Sequence, residues 1–505
     1  MSPLVILSCA IGLTFAILIV CAWAGRTKNQ NLEGWLVHHR GMGSLLLWFL
    51  LGSEIYTAFT FQGLAGYSYS KGAAGFYNVA QNDVAYAIAF LVLPCIWMLG
   101  KKFGYVTQAD FIAHRYASKP LGVFVALATA LIMIAYIDLN IEGLSAIFRI
   151  LGDGAISPAL GNVLAFVVLA CAVFIGGIRG NAIQSVIKDL LMFAAVAALF
   201  IAVPLTFFHG FGDMYSSFTQ RIPEYFQLPS APAPKLGPVW LISTVLVTGV
   251  GQWMWPQWFG TAFTASSPTA LKRQAVLMPF YQIVKVAVLT VGFAAVVALG
   301  TGLVGNDVVM HMMREVFPGW VLVLIAIAAM LSAIVPAGPI VMTSASLLSR
   351  NVVHALKPDL PARTVFTLTR VLVFPLIGAA LVLTLVAPAL IVSVLLVAYA
   401  FITQLFPAVI VGGIFWKRAT KQGVLAGLIV GWGVTAGLML SHHDPLFGVN
   451  AGLVALVANL VVFAAVSVCT KPSPTAEDVG SMLRGIAEES RVTDPAKSRL
   501  APSST

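Results

Sequence analysis

Residues 51–66 read LGSEIYTAFTFQGLAG, and residues 249–260 read GVGQWMWPQWFG. Each stretch breaks an apolar segment with glycine or proline and with polar side chains. In the hydrocarbon core of a membrane, backbone groups freed by such a break must line a cavity or be satisfied by another part of the protein. If the chain crosses a membrane, these two stretches are therefore where a ligand would bind.

The composition places the chain in a membrane. It has 505 residues, of which 59% are hydrophobic and only 10% are charged, and its mean hydropathy is +0.93. A soluble domain carries charge on about a quarter of its residues. An ordinary soluble enzyme, a nucleic-acid-binding protein and a disordered protein are therefore excluded. Because the apolar runs are much longer than barrel strands of roughly ten residues, we predict an all-α integral membrane protein.

Apolar runs long enough to cross a bilayer, about 20 residues each, recur along the chain. The sequence predicts about 13 transmembrane helices. They lie at about 3–24, 44–68, 77–100, 120–150, 158–178, 183–208, 238–262, 275–301, 318–348, 366–386, 388–411, 422–440 and 448–469. Residues 471–505 are rich in Ser, Pro, Glu and Lys, which predicts a disordered or loosely helical cytosolic tail.

The basic residues predict the orientation. With the loops assigned alternately to the two sides, one side holds 21 of the 29 Lys and Arg residues and the other side holds four. Cytoplasmic loops carry the excess of Lys and Arg. We therefore predict a multi-pass protein of the cell (inner) membrane with its N-terminus outside and its C-terminus in the cytoplasm. The net charge of +10 is then a topology signal, and no nucleic-acid partner is predicted.

The starts of the two interrupted helices are five predicted spans apart. This spacing is typical of two inverted five-helix repeats that each begin with a discontinuous helix. We predict a transporter core at 44–411, with repeats at about 44–208 and 238–411, preceded by a first helix and cytosolic loop at 1–43 and followed by two helices at 412–470. Unwound backbone can offer carbonyls to a cation or half-helix N-termini to an anion. Glycine that only permits close helix packing is the alternative interpretation.

Ionisable residues inside predicted spans are candidates for function because charge is costly there. Glu54 lies in the first interrupted stretch, where a desolvated carboxylate can take up a proton or neutralise a bound cation. A static ion pair or a permanently protonated Glu54 is the alternative. Asp138 and Glu142 are four residues apart and share one helix face, so they repel each other unless a cation pairs with them. Lys285 or a cationic group on a solute could be that partner, or both acids could lie near the outer water.

Other polar residues in the spans have simpler interpretations. Lys188 and Asp189 lie near the predicted cytosolic start of a span, and an interfacial ion pair is the preferred interpretation. No His, Cys or acidic cluster has metal-ligand spacing, and no nucleophile stands beside a base. We therefore predict no metal, no cofactor and no enzymatic activity. Of the 11 tryptophans, Trp253, Trp255 and Trp258 are the ones placed to line a binding site.

Several motifs resemble those of the solute:sodium symporter family. They are GGIR at 176–179 with VIKD at 186–189, MWPQ at 254–257, VPA at 335–337 with LSRN at 348–351, and FWKR at 415–418 with GVLAGLIVG at 423–431. The resemblance covers the chain to about residue 470. The stretch LLGSEIYTA at 50–58 and the two proline motifs are most similar to the monocarboxylate-transporter branch of that family.

The resemblance implies a fold and a function. The fold is the thirteen-helix version of the LeuT type, and members import small organic solutes by alternating access, usually with sodium. A monocarboxylate such as lactate or pyruvate, or a small amino acid, is the expected solute. The expected binding residues are Ser53, Tyr56, Thr57, Trp253, Trp255 and Gln257. A membrane-embedded solute sensor is the alternative, but a signalling domain would have to follow the last span.

The family's sodium site is expected to be missing. By position, its two backbone carbonyls would come from Ser53 and Tyr56, and its two hydroxyls from the ninth span. The hydroxyl positions fall on Val335 and Pro336, or with a gap on Ser332 and Ala333. Sodium is a hard cation that needs about five or six oxygen ligands. Neither register supplies both hydroxyls.

Proton coupling through Glu54 is therefore the preferred hypothesis for the driving ion. A rearranged sodium site that uses Glu54 with Thr343, Ser344 or Ser346 is the alternative, and Ser332 belongs to the gapped register. Asp138 and Glu142 are a second departure from the branch. Two acids facing the site would suit an amine or a zwitterion, or would require Lys285 as a counter-charge.

Overall fold

The computed structural model describes residues 2–25, 32–175, 178–387 and 391–471. Regular structure among these residues is helical throughout, without a named β-strand. The predicted all-α architecture is therefore confirmed for the described part of the chain. The glycine pair at 176–177, the basic residues Arg26 and Lys28, and the predicted tail from residue 472 onward lie outside the described residues.

In the first half of the chain, the described residues form ten α-helices. They are α1 (Pro3–Ala24), α2 (Leu32–Val37), α3 (Ser44–Ile55), α4 (Leu64–Lys71), α5 (Tyr77–Phe103), α6 (Gln108–Arg115), α7 (Lys119–Leu151), α8 (Pro158–Ile175), α9 (Ile178–Phe207) and α10 (Phe211–Arg221). Helix boundaries follow local chemistry: the Thr107 hydroxyl and the Asp110 carboxylate cap the start of α6 reciprocally, and Gly104 ends α5 in the left-handed conformation at φ 70°.

The second half continues with eleven α-helices among the described residues. They are α11 (Pro238–Gly251), α12 (Pro256–Ala262), α13 (Pro268–Leu277), α14 (Gln282–Leu299), α15 (Val308–Val316), α16 (Gly319–Ser346), α17 (Ala362–Val371), α18 (Val373–Val386), α19 (Ile391–Ile402), α20 (Lys421–Leu440) and α21 (Ala451–Cys469). Helix α16 lies deepest inside the protein among these apolar helices, since 89% of its most apolar stretch of 18 residues is buried.

The described residues contain ten helical stretches that are long and apolar enough to cross a membrane, and three shorter apolar ones. The shorter ones are Ser44–Ile55, Pro158–Phe174 and Pro238–Met254. Each lies at a predicted span, and two of them are short because their helices break. The membrane-spanning character is thus supported by length and composition, whereas the count of thirteen crossings stays a prediction.

Both predicted helix breaks are present. Helix α3 ends at Ile55, Tyr56 leaves the helical conformation at φ −100° and ψ 79°, and a π-helical turn at Phe59–Gly63 leads into α4. Helix α11 ends at Gly251, and Trp255 is extended at φ −68° and ψ 126° before Pro256 starts α12. A residue before proline avoids the helical conformation, and proline is favoured at the first helical position. The second break is therefore local in origin, whereas the first has no proline.

Candidate functional site

The two breaks meet at a carboxylate. Glu54, at the end of α3, accepts a hydrogen bond of 2.6 Å from the Thr261 hydroxyl of α12, and both side chains are buried. The Tyr136 hydroxyl of α7 donates to the Glu54 backbone carbonyl at 3.3 Å. The site predicted at the breaks is thus formed by α3, α12 and α7 together.

Aromatic rings enclose this meeting point. Tyr136 lies edge-on to Trp255 at 4.8 Å between ring centroids, and Trp255 lies edge-on to Tyr399 at 5.3 Å. Trp258 also contacts the Tyr136 ring, at 6.2 Å. All four rings are buried. The prediction that Trp255 and Trp258 line the site agrees with this packing. Tyr136 and Tyr399 were not predicted, although a polar aromatic residue inside a predicted span could have indicated them.

Trp253 has a different contact. Its indole N–H donates to the Ala85 carbonyl of α5 at 2.7 Å, so its polar end is held by backbone. The Thr57 hydroxyl is also occupied, because it accepts the Phe59 amide at 3.1 Å where the helix resumes after the break. Both residues therefore shape the site through the backbone.

Several buried polar atoms around the breaks have no hydrogen-bond partner within the described protein. They are Ser53 Oγ, Glu54 Oε2, Thr60 Oγ1, both amide atoms of Gln62 and of Gln257, and Asn140 Oδ1. Buried polar groups are nearly always paired, and an unpaired one costs about 1–3 kcal/mol. Their concentration on the elements that meet at Glu54 indicates a polar ligand. Ser53 and Gln257 were predicted; Gln62 and Asn140 were not.

Helical periodicity explains which side chains reach the site. Gln257 and Thr261 are one turn apart on α12, as are Tyr136 and Asn140 on α7, so each pair shares a face. Asp138 is two residues from Tyr136, a rotation of about 200° on an α-helix. Asp138 therefore lies on the opposite face of α7 from the site.

The contacts of Asp138 and Glu142 agree with this placement. The Thr384 hydroxyl of α18 donates to the Asp138 carboxylate. Glu142 pairs with Arg149 at 3.2 Å, and Arg149 also pairs with Asp307 at 3.0 Å. Lys285 was one possible partner of these acids, but among the ion pairs of the described residues Glu142 has Arg149, two turns along the same helix, and neither acid pairs with Lys285. The spacing of Glu142 and Arg149 was visible in the sequence.

Lys285 contacts the aromatic ring of Tyr56 instead. Its ammonium stands 5.1 Å from the centre of the Tyr56 ring and donates to the Asn78 carbonyl at 3.2 Å. The side chain is buried. Among the ion pairs of the described residues, none joins a carboxylate to Lys285. The Tyr56 hydroxyl in turn lies 3.1 Å from that of Tyr86.

Lys188 and Asp189 form the predicted ion pair, at 2.8 Å, but not at the membrane interface. Both side chains are 0% exposed. The Lys188 ammonium donates to the Tyr56 carbonyl and, at 3.4 Å, to the Ser53 carbonyl. The interfacial interpretation is therefore wrong: α9 packs beside α3, which brings Lys188 onto the break itself.

Tyr281 links this pair to the Tyr56 ring. Its hydroxyl donates to the second carboxylate oxygen of Asp189 at 2.6 Å, and its ring stacks on Tyr56 at 4.5 Å. Gly52 makes this approach possible, because a Cβ there would lie 2.4 Å from the Tyr281 hydroxyl oxygen.

The predicted hydroxyls of α16 are engaged within their own helix. Ser332 donates to the Ala328 carbonyl and Ser344 to the Ile340 carbonyl, each at 2.8 Å. No hydrogen bond among the described residues joins either of them to Glu54, so their role in ion coupling stays a prediction. Within the described residues, no group of three or more His, Cys, Asp or Glu side chains is placed to hold a metal ion.

Comparison with known proteins finds related sequences over most of the chain. The profile of the Sodium:solute symporter family matches residues 35–431. An uncharacterized symporter of Bacillus subtilis, YhjB, is 32% identical over 93% of this chain and 99% of its own length. A monocarboxylate transport permease protein of Rhizobium johnstonii is 27% identical over 89% of this chain and 93% of its own length.

A solved structure shares the fold. The substrate-bound outward-open state of a Na+-coupled sialic acid symporter superposes with a TM-score of 0.77, covering 93% of this chain and 99% of the other. Sequence identity is 15%. The arrangement of the helices is therefore shared with that protein.

Proposed function

The chain belongs to the sodium:solute symporter family, and from this premise we propose that it is a secondary active transporter that imports a small organic carboxylate. Family and fold support a multi-pass membrane symporter. The solute class is the further step, a monocarboxylate such as lactate or pyruvate, or a small amino acid. A monocarboxylate permease among the relatives supports the first of these.

The observation that carries the solute class is Lys285. Its ammonium is buried, with one backbone carbonyl and the face of Tyr56 as its close partners. A buried charge is stable only when it is paired. An anionic solute would supply the missing carboxylate, with the unpaired amides of Gln62 and Gln257 and the unpaired Asn140 Oδ1 available to its polar groups.

The acids that argued against a carboxylate solute do not oppose it. Asp138 and Glu142 lie on the face of α7 that points away from Tyr136, and Arg149 compensates the charge of Glu142. An amine or zwitterion is therefore no longer required by these two residues. A zwitterionic amino acid still fits, because its carboxylate makes the same contact with Lys285.

Transport through this site requires the helices to move. The rings around the breaks and the side chains of Glu54 and Gln257 are buried from both sides, so a solute reaches them only after a rearrangement. We propose the alternating movement of two inverted repeats, 44–208 and 238–411, within a thirteen-helix LeuT-type fold. The N-terminus outside and the C-terminus in the cytoplasm belong to the same proposal.

Coupling to a proton gradient through Glu54 is proposed as the driving reaction. Its carboxylate accepts one hydrogen bond, from Thr261, and its second oxygen has no partner in the described structure. A proton on that oxygen would be carried at the point where both broken helices meet. The alternative is a rearranged sodium site that includes Glu54.

Uptake of radiolabelled pyruvate, lactate and alanine into proteoliposomes tests the function. We expect uptake of at least one of them under an inward proton gradient. Lys285→Met is expected to abolish this uptake. Glu54→Gln is expected to abolish only the part of the uptake that the proton gradient drives. Lys272→Met is the matched control, since Lys272 lies exposed on neighbouring α13. Uptake of amines without a carboxylate, unaffected by Lys285→Met, would contradict the proposal.

A further inference from the structure

The break after α3 presents two backbone carbonyls, and a side chain of the same chain occupies them. The carbonyl oxygens of Ser53 and Tyr56 both lie within hydrogen-bond distance of the Lys188 ammonium. By family resemblance these are the two carbonyls expected to bind sodium. In this chain the cation between them is covalently attached to α9.

The partners of Lys188 match an ammonium. A lysine ammonium has three N–H donors, and Lys188 has three acceptors: the two carbonyls and the Asp189 carboxylate at 2.8 Å. Tyr281 holds the other oxygen of that carboxylate at 2.6 Å. Every donor is therefore satisfied although the side chain is fully buried, which is the condition under which a buried charge persists.

The surroundings do not match a sodium ion. Sodium would need about five or six oxygens, and the ninth-span positions expected to complete the set are Val335 and Pro336, or Ser332 and Ala333. The Ser332 hydroxyl already donates to Ala328. A sodium ion at the two carbonyls would also stand against the Lys188 ammonium, and two like charges in contact inside a protein repel each other.

We propose that the Lys188 ammonium is the resident cation of this helix break, so that the Ser53 and Tyr56 carbonyls bind no sodium ion. The inference deepens the proposed function, on which it rests, by removing the usual cation from the symport reaction at this position. Uptake of the solute then needs no sodium at the first break.

The same residue joins this internal cation to the solute site. Tyr56 gives its carbonyl to Lys188 and its ring face to Lys285. A carboxylate bound at Lys285 would therefore act directly on the residue that Lys188 holds out of the helix. The group that holds this residue is part of the chain itself, attached to α9.

Sodium alone is the probe in the decisive experiment. The thermal stability of the purified full chain is followed while sodium chloride replaces choline chloride at constant ionic strength. We expect no sodium-specific rise in Tm for the wild-type protein. We expect a saturable rise for Lys188→Ala, which frees two carbonyls and the Asp189 carboxylate and opens space between them.

Two variants serve as controls. Lys188→Met removes the charge but keeps the space filled, so it is expected to gain no sodium response. Lys285→Ala removes a different buried ammonium and is likewise expected to gain none. A saturable, sodium-specific stabilisation of the wild-type protein that Lys188→Arg abolishes would overturn the inference.

The wild-type titration decides the question even if Lys188→Ala fails to fold, provided that any sodium response of the wild type is compared with that of Lys188→Arg. It contains no solute, so its outcome is independent of which solute is carried. Absence of uptake for all tested carboxylates would contradict the proposed function and leave this result standing. A sodium-stabilised wild type that still takes up pyruvate would overturn the inference and leave the proposed function standing.

Discussion

Lys188 and Lys285 are both buried against Tyr56, yet their surroundings differ in one respect that separates their roles. Lys188 has three acceptors, one of them a carboxylate, whereas Lys285 has one backbone carbonyl and an aromatic face. A buried ammonium with every donor satisfied holds structure together. One without a carboxylate remains available to an anion. The partners of a buried charge, rather than its burial, therefore indicate whether it stabilises the fold or binds a ligand.

The largest effect is expected on stability from Lys188→Met. Because it leaves the buried Asp189 carboxylate without its cation, we expect a loss of about 3–5 kcal/mol in the free energy of unfolding. Titration with SDS in mixed micelles measures it. Lys285→Met is the paired control: it leaves no ion-paired carboxylate behind among the described residues, and we expect it to cost less than about 1 kcal/mol. Equal losses in the two variants would break the comparison.

The roles reverse when solute binding is measured. Lys285→Met removes the proposed partner of the solute carboxylate, and truncating one side of a buried charge pair costs about 2–5 kcal/mol. We expect the Kd for the transported carboxylate to rise roughly thirty-fold or more, followed by quenching of tryptophan fluorescence. An unchanged Kd would place the carboxylate elsewhere.

Tyr281→Phe measures how much the hydrogen bond from Tyr281 to Asp189 stabilises the Lys188 ion pair. The variant keeps the stack on Tyr56 but removes the hydrogen bond to Asp189. Hydrogen bonds to charged groups contribute about 1.5–3 kcal/mol, and we expect a loss of that size in SDS titration. Tyr86→Phe removes hydrogen bonds to neutral groups only, the Tyr56 hydroxyl and the Asn82 side-chain amide, each of which contributes about 0.5–1.5 kcal/mol. A larger loss for Tyr86→Phe would contradict the assigned network.

The smallest expected effect is on the Kd of variants in α7, and it shows which face of that helix the bound solute contacts. Asn140 lies on the site face of α7, and Asp138 lies on the opposite face. We expect Asn140→Ala to weaken solute binding by about 0.5–1.5 kcal/mol, a roughly two- to tenfold rise in Kd. Asp138→Asn should leave the Kd within about twofold. The reverse order, measured in the same fluorescence titration, would show that α7 presents its acids to the solute.

The fold was predictable from sequence where its causes are local. The apolar runs predict the helices, and Pro256 predicts the break before α12, because proline restricts the residue before it. The break at Tyr56 was signalled by Gly52 and the polar residues around it. Its physical cause is different: a side chain 132 positions away holds the Tyr56 carbonyl.

The site was predictable only in part, for the same reason. Ser53, Glu54, Tyr56 and Gln257 were found because they lie within the interrupted stretches. Lys188 was misplaced because its depth depends on how α9 packs against α3, which no local pattern records. Lys285 was only one candidate partner of Asp138 and Glu142, because the sequence does not show which faces of two different helices meet. Arg149 lies on the same helix as Glu142, so the i, i+7 spacing could have indicated that pair.

The division of roles between the two lysines is tested most directly by the initial rate of labelled pyruvate uptake into proteoliposomes. The rate is compared in sodium-free and sodium-containing buffer under the same inward proton gradient. Equal rates in the two buffers, abolished by Lys285→Met, are the predicted result. A rate that falls to background without sodium would contradict the account, because the account drives uptake with protons through Glu54 and assigns no sodium ion to the first break.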